Sequence, residues 1–164
     1  MRNLIPYLLF VLLLISCKKE SGSGIEIYFL NDYKTVSGSK EIISGSEKLT
    51  KTPYIYYNQI NYYDSTDHIL NLSGNKADEL NKANWAMSGK AFSLTIDRSI
   101  IYSGYFLPSY SSESCDWITI DPMNLDSKFR VSLPFPIVGY NHIINDPRND
   151  ERIISYFKKD SKLR

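Results

Sequence analysis

Residues 89–106 read GKAFSLTIDRSIIYSGYF, and their pattern decides the fold class. Phe92, Leu94 and Ile96 alternate with Ser93 and Thr95, the two-residue period of a strand with one apolar and one polar face. Asp97-Arg98-Ser99 carries turn chemistry, and Ile100 to Phe106 returns as a second apolar strand. A hairpin this regular predicts an antiparallel sheet at the centre of the molecule.

Working outward, the same period appears upstream in Ile25, Ile27 and Phe29, which alternate with Glu26 and Tyr28. Residues 31–52 are rich in Ser, Gly, Lys and Thr and read as loop, with a short strand at Glu41-Ile42-Ile43. Pro53 to Tyr63 is aromatic and β-prone. Asp64-Ser65-Thr66-Asp67 then turns the chain into His68 to Leu72, a second hairpin. Asn75 to Trp85 is a helix candidate, capped by Ser73 or Asn75, with Ala77, Leu80 and Ala83 as its apolar stripe. Downstream, Trp117 to Ile120 is a strand, and Phe129, Val131 and Leu133 alternate again before Pro134. A last helix starts at Asp146, a natural N-cap, with Pro147 at its first position. Asp150 and Glu151 suit the positive end of its dipole and Lys158 and Lys159 the negative end, while Ile153, Ile154 and Phe157 form its buried face. Strands and helices are mixed without strict alternation. The expected class is therefore α+β, a mostly antiparallel sheet packed against about two helices.

The first residues belong to something else. Arg2 supplies a positive charge, and Leu4 to Ile15 is an apolar run broken by Pro6. That run is shorter than the roughly 20 apolar residues a membrane span takes, so it reads as an export signal. Leu14-Ile15-Ser16-Cys17 resembles the lipobox of bacterial lipoproteins. The resemblance implies cleavage before Cys17 and acylation of its thiol. Lys18-Lys19-Glu20 and Ser21-Gly22-Ser23-Gly24 then have the composition of a spacer. The expected organisation is a signal over 1–16, a lipidated cysteine and tether over 17–24, and one α+β domain over 25–164. Lys18 is not the aspartate associated with inner-membrane retention, so the resemblance implies a cell-envelope, outer-membrane location, the face of the membrane being left open.

Composition narrows the function classes. Nineteen basic residues balance 18 acidic ones among 164, so no electrostatic case exists for nucleic acid. Of two cysteines, Cys17 is taken by lipid and Cys115 stands alone, which excludes a disulfide framework. Thirteen tyrosines stand out, since tyrosine is favoured both on strands and at contact surfaces. Tyr54, Tyr56, Tyr102, Tyr105, Tyr110 and Trp117 are the candidate contact face, for a protein or a glycan of the envelope.

Two further resemblances concern the domain. Gly89 to Asp97 followed by Ile100-Ile101-Tyr102-Ser103-Gly104 resembles the hairpin of the first periplasmic domain of the SecD translocase subunit. The closing stretch Ile153 to Leu163 looks like that domain's final helix, while Arg98 stands where the family has glycine. This implies an α+β fold and nothing about translocation. Tyr110 to Trp117 and Asp146 to Ile154 look like segments of uncharacterised small lipoproteins of Bacteroidota. That likeness implies the anchor and the compartment and brings no activity.

Catalytic constellations are sparse. Cys115 with His68 or His142, oriented by Asp116 or Asp146, is the one arrangement for a thiol-dependent or other hydrolase. Nothing in the spacing brings these residues together. Ser109 to Ser114 lacks the Gly-x-Ser-x-Gly turn of a nucleophile elbow. Asp64, Asp67 and His68 are too few for zinc and too poor in oxygen for calcium, so no metal and no cofactor is expected. Asp64-Ser65-Thr66 resembles the O-glycosylation acceptor of Bacteroidota, and a surface turn accounts for it equally. The leading expectation is a lipid-anchored binding or accessory domain without catalysis. The hydrolase using Cys115 is its rival, and an inhibitor of an envelope toxin or hydrolase is a third possibility.

Overall fold

The structure is a computed structural model, and it describes residues 23–124, 126–134 and 146–164. The expected signal, Cys17 and His142 lie outside the described residues. The strands are β1 (Ile25–Asp32), β2 (Lys48–Leu49), β3 (Ile60–Asp64), β4 (Ile69–Leu72), β5 (Lys90–Ile96), β6 (Ser99–Phe106), β7 (Thr119–Ile120) and β8 (Lys128–Ser132). The helices are α1 (Gly74–Lys82) and α2 (Glu151–Lys159). One sheet contains all eight strands in the order β2-β1-β5-β6-β7-β8-β4-β3. Among the described strand pairs only β6 and β7 run parallel; the others are antiparallel. The fold is α+β, as the alternating segments require.

The β5–β6 hairpin forms where the pattern places it, with a tighter turn. Ser99 already pairs with Ile96, which leaves Asp97 and Arg98 as the turn, at φ 48° and 66°. Two successive left-handed residues make the turn whose twist matches that of the flanking strands. Gly104 lets the chain of β7 approach, because a Cβ there would lie 2.6 Å from the Ile118 carbonyl oxygen. The sheet also curls. Ile55 forms an antiparallel bridge to Ile27, with N–H···O bonds of 2.9 and 3.0 Å, so the segment entering β3 returns to β1.

Ile25, Ile27, Phe92, Leu94 and Phe106 line the inside of this curl with Leu70, Leu72, Phe129 and Val131. Leu80 of α1 and Ile153 and Phe157 of α2 close it. The first helix is shorter than its pattern suggests. It ends at Lys82, and Trp85 turns back so that its indole N–H donates to the Leu80 carbonyl at 2.8 Å. The last helix has two starts. Asp146 caps a single 3-10 turn over Pro147–Asn149, and Asp150 then caps α2 by accepting from the Arg152 amide. Among the described residues no helix is long and apolar enough to cross a membrane.

The outer face of β1, β5 and β6 departs from the sequence reading. Ser93 and Thr95, expected to face solvent, are fully buried. Residues 33–47 fold over them: Ile42 and Tyr33 pack on Ala91 and Tyr105, and Glu47 accepts from the Ser103 hydroxyl at 3.0 Å. Ser103 and Ser93 are in turn linked hydroxyl to hydroxyl at 2.7 Å.

Candidate functional site

The six aromatic residues of the expected contact face separate in space and in burial. Tyr102 and Tyr105 are buried, at 7% and 4% exposure. Tyr105 donates to the Lys40 carbonyl and forms part of the layer beneath residues 33–47. Trp117 is half-buried, its indole N–H on the Ser103 carbonyl at 2.8 Å. These three are packing residues. Tyr56 is exposed, its amide held by the Gln59 side chain. Tyr54 and Tyr110 remain: Tyr54 lines a groove, and Tyr110 is tied to it through the Trp85 carbonyl.

That groove, about 430 Å³, lies where β1 passes the end of α1 and the start of β5. Phe29, Tyr54, Trp85, Glu79, Asn84 and Lys90 line it. Phe29 comes to its wall because it closes the apolar side of β1 opposite Phe92. Tyr54 arrives because the Ile27–Ile55 bridge fixes its backbone, its amide donating to the Ile27 carbonyl at 2.7 Å. The two rings stack at 4.2 Å and 27°. Each outward ring face carries a cation: the Lys90 ammonium lies 3.9 Å from the Phe29 centroid and that of Lys76 lies 3.8 Å from Tyr54. Lys76 is buried and paired with Glu79 at 2.8 Å. Burial, together with the Glu79 carboxylate, pushes the Tyr54 hydroxyl up to about 12, so it stays a neutral donor. Tyr110 donates to the carbonyl of Trp85, a lining residue, at 2.9 Å. Tyr110 and Met87 are half exposed beside it, at 50% and 52%.

Comparison with known protein families, with characterised proteins and with solved structures finds no match for this chain. Its residues must carry the functional argument.

Cys115 is half-buried with Tyr105 and Trp117, its thiol 3.8 Å from the Trp117 carbonyl. Burial pushes the thiol up, and the charges acting on it belong to Asp116, Lys40 and Glu113. A nucleophilic cysteine needs the opposite shift and a base beside it. Among the described residues no His, Cys, Asp and Glu side chains converge three together as metal ligands.

His68 sits elsewhere, at the β3–β4 turn, with φ 54°. Its Nδ1 lies 3.2 Å from the Tyr63 hydroxyl. That hydroxyl has two acceptors besides, the Arg148 carbonyl at 2.9 Å and Asn149 Oδ1 at 3.2 Å. The Asn149 amide is oriented by its own N–H donation to Ser65. One phenol proton cannot serve three acceptors at once, so the Tyr63 hydroxyl is shared among the three groups, and its bond to Nδ1 runs in the direction set by the His68 tautomer. Burial and the Arg148 guanidinium lower the His68 pKa, against the opposing pull of Asp146 and Asn149. Arg148 is itself held two-pronged by Asp146 at 2.8 and 2.7 Å and reaches the Val131 carbonyl. This cluster joins the 3-10 turn before α2 to β3, β4 and β8. It is a clasp: its polar groups satisfy one another.

Of the residues expected at a contact face, Tyr54 lines the groove; Phe29, Trp85, Glu79 and Lys90, which line it with Tyr54, and Lys76, which lies over its ring, were not among those expected. Phe29 carried a strand signal and Trp85 a helix signal. Neither signal contains the bridge at Ile55 that brings them together.

Proposed function

We propose that this chain is a lipid-anchored domain of the bacterial cell envelope, held through acyl chains on Cys17, that binds a protein partner at the Phe29–Tyr54 groove. The anchor rests on the order of charge, apolar run and lipobox-like Leu14-Ile15-Ser16-Cys17. The binding reading rests on one observation. A stacked aromatic pair lines an open groove, and two exposed side chains adjoin lining residues: Met87 follows Ala86 in the chain, and Tyr110 bonds to the Trp85 carbonyl. Tyrosine, tryptophan and methionine are the side chains that protein interfaces concentrate. A sugar would stack on an open ring face, and Lys90 and Lys76 already cover both outward faces of the pair. A protein segment can instead pack on the ring edges and engage the exposed carboxylate of Glu79. No group in the groove is a nucleophile set beside a base, which favours binding over catalysis.

The test joins anchor and groove. Cells expressing the wild-type chain, Ala86→Arg and Cys17→Ala are fractionated, crosslinked and probed for proteins captured with the chain. Ala86 is exposed on the groove wall, so arginine there blocks the groove without burying a charge. The expected result is a partner captured by wild type and lost from Ala86→Arg, and release of Cys17→Ala from the membrane fraction. Capture by both forms alike overturns the groove; a membrane-bound Cys17→Ala overturns the anchor.

A further inference from the structure

We infer that the groove faces away from the membrane that holds the chain, so its partner is a protein of the aqueous compartment rather than one embedded in the same bilayer. The inference rests on the anchoring proposed above and adds a direction to it. Where the chain joins the sheet is fixed. Gly24, assigned to the spacer by composition, is already tied to the β5–β6 turn. Its amide donates to Asp97 Oδ1 at 2.7 Å and its carbonyl accepts from the Asp97 amide at 3.0 Å. The anchor chain therefore arrives at the Asp97–Arg98 end of the β1–β5–β6 unit.

The register then places the groove at the other end. Ile25 pairs with Ile96, beside the turn, while Phe29 pairs with Phe92 and Lys90 with Phe106. Five residue steps lead from Gly24 to Phe29, about 17 Å at the rise of an antiparallel strand. Seven steps of chain lie between Cys17 and Gly24, a reach of at most about 25 Å. Carrying the groove down to the bilayer would use most of that reach, whereas every shorter span keeps the turn near the lipid and the groove beyond it. The sides of the unit agree. At the turn end Arg152 and Lys159 offer two cations toward anionic headgroups, in a shallow cleft shared with Asp97, Ile96, Ile101 and Tyr156, while the half-exposed Met87 and Tyr110 lie toward the groove end.

The experiment uses the full lipidated chain, in a Cys115→Ser background, reconstituted in vesicles carrying a headgroup-linked spin label. A fluorophore is placed at Ser99→Cys or at Ala86→Cys, both exposed positions. Quenching several-fold stronger at position 99 than at 86 is expected. Equal quenching, or stronger quenching at 86, overturns the orientation while leaving the anchor intact. A chain that fails to float with the vesicles overturns the anchor and the orientation with it. A Cys17→Ala control, unquenched at both positions, separates lipid attachment from adventitious adsorption.

Discussion

On its inner side the β1–β5–β6 unit presents Ile25, Ile27, Phe92, Leu94 and Phe106; on its outer side it presents Glu26, Tyr28, Ser93, Thr95 and Ser103. Both sets are buried. The inner face is held by area removed from water, which needs no particular geometry beyond close packing. The outer face excludes water by a different rule, in which each polar group must meet a partner. Ser93 donates to Ser103 and Ser103 to Glu47, Tyr28 donates to Glu26 at 2.7 Å, and Thr95 donates to the Glu26 carbonyl at 3.3 Å. The inner face should tolerate exchanges of similar volume and the outer face exchanges that keep a donor.

The largest effect should come from emptying the inner face. Phe92→Ala removes a ring in contact with Phe106 and Tyr102 and is expected to cost about 3–5 kcal/mol in urea unfolding. A loss below about 1 kcal/mol would mean that the inner face does not carry the fold. On the outer face, Ser103→Ala strands the Ser93 hydroxyl and one oxygen of Glu47 together and should cost about 1–3 kcal/mol. Ser93→Ala leaves the Ser103–Glu47 bond in place and should cost less. Equal losses would mean that the two hydroxyls are not chained as described.

The contrast also explains what could be read in advance. Alternation in 90–96 is a statement about spacing, and the strand followed from it. Burial of Ser93 and Thr95 depends on residues 33–47, a segment whose Ser, Gly and Lys content signals loop and cannot signal where the loop lies. The helix at 74–82 was readable from its stripe. Its early end was not, because the Trp85–Leu80 bond turns back a residue whose ring also suits a longer helix. The groove fared likewise: Tyr54 was conspicuous by type, but Phe29 and Lys90 reach it from two strands and Trp85 from the loop between α1 and β5. Cys115 was conspicuous by chemistry, and its burial pushes its thiol up, away from reactivity.

A pH titration sharpens the comparison by bringing in the clasp. Serine hydroxyls do not titrate near neutrality, so the Ser93–Ser103 link adds no slope there. His68 does. Its folded pKa lies below the ordinary 6.5, so the unfolded chain binds the proton more readily and stability falls as pH drops below about 6.5. The Asp146 carboxyl, held below its usual range by Arg148, adds a second loss only under more acidic conditions. His68→Asn keeps a residue tolerant of positive φ and removes the titrating ring. The variant should flatten the unfolding midpoint between pH 7 and 5 relative to wild type. An unchanged slope would place the titration elsewhere.

The smallest effect belongs to the turn joining the two faces. Arg98 adopts φ 66°, where glycine is the residue without strain and any Cβ costs about 1 kcal/mol. Arginine recovers part of that through its side chain, which lies 5.2 Å over the Tyr28 ring and reaches the Lys51 carbonyl at 3.4 Å. An exposed cation–π contact contributes roughly 0.5–1 kcal/mol. The two terms nearly cancel, so Arg98→Gly should shift stability by no more than about 0.5 kcal/mol. Arg98→Ala keeps the strained φ and loses both contacts, so it should be the more harmful change although alanine is the larger residue. If alanine and glycine prove equal, the turn carries no strain, and the arginine side chain alone sets the preference at this position.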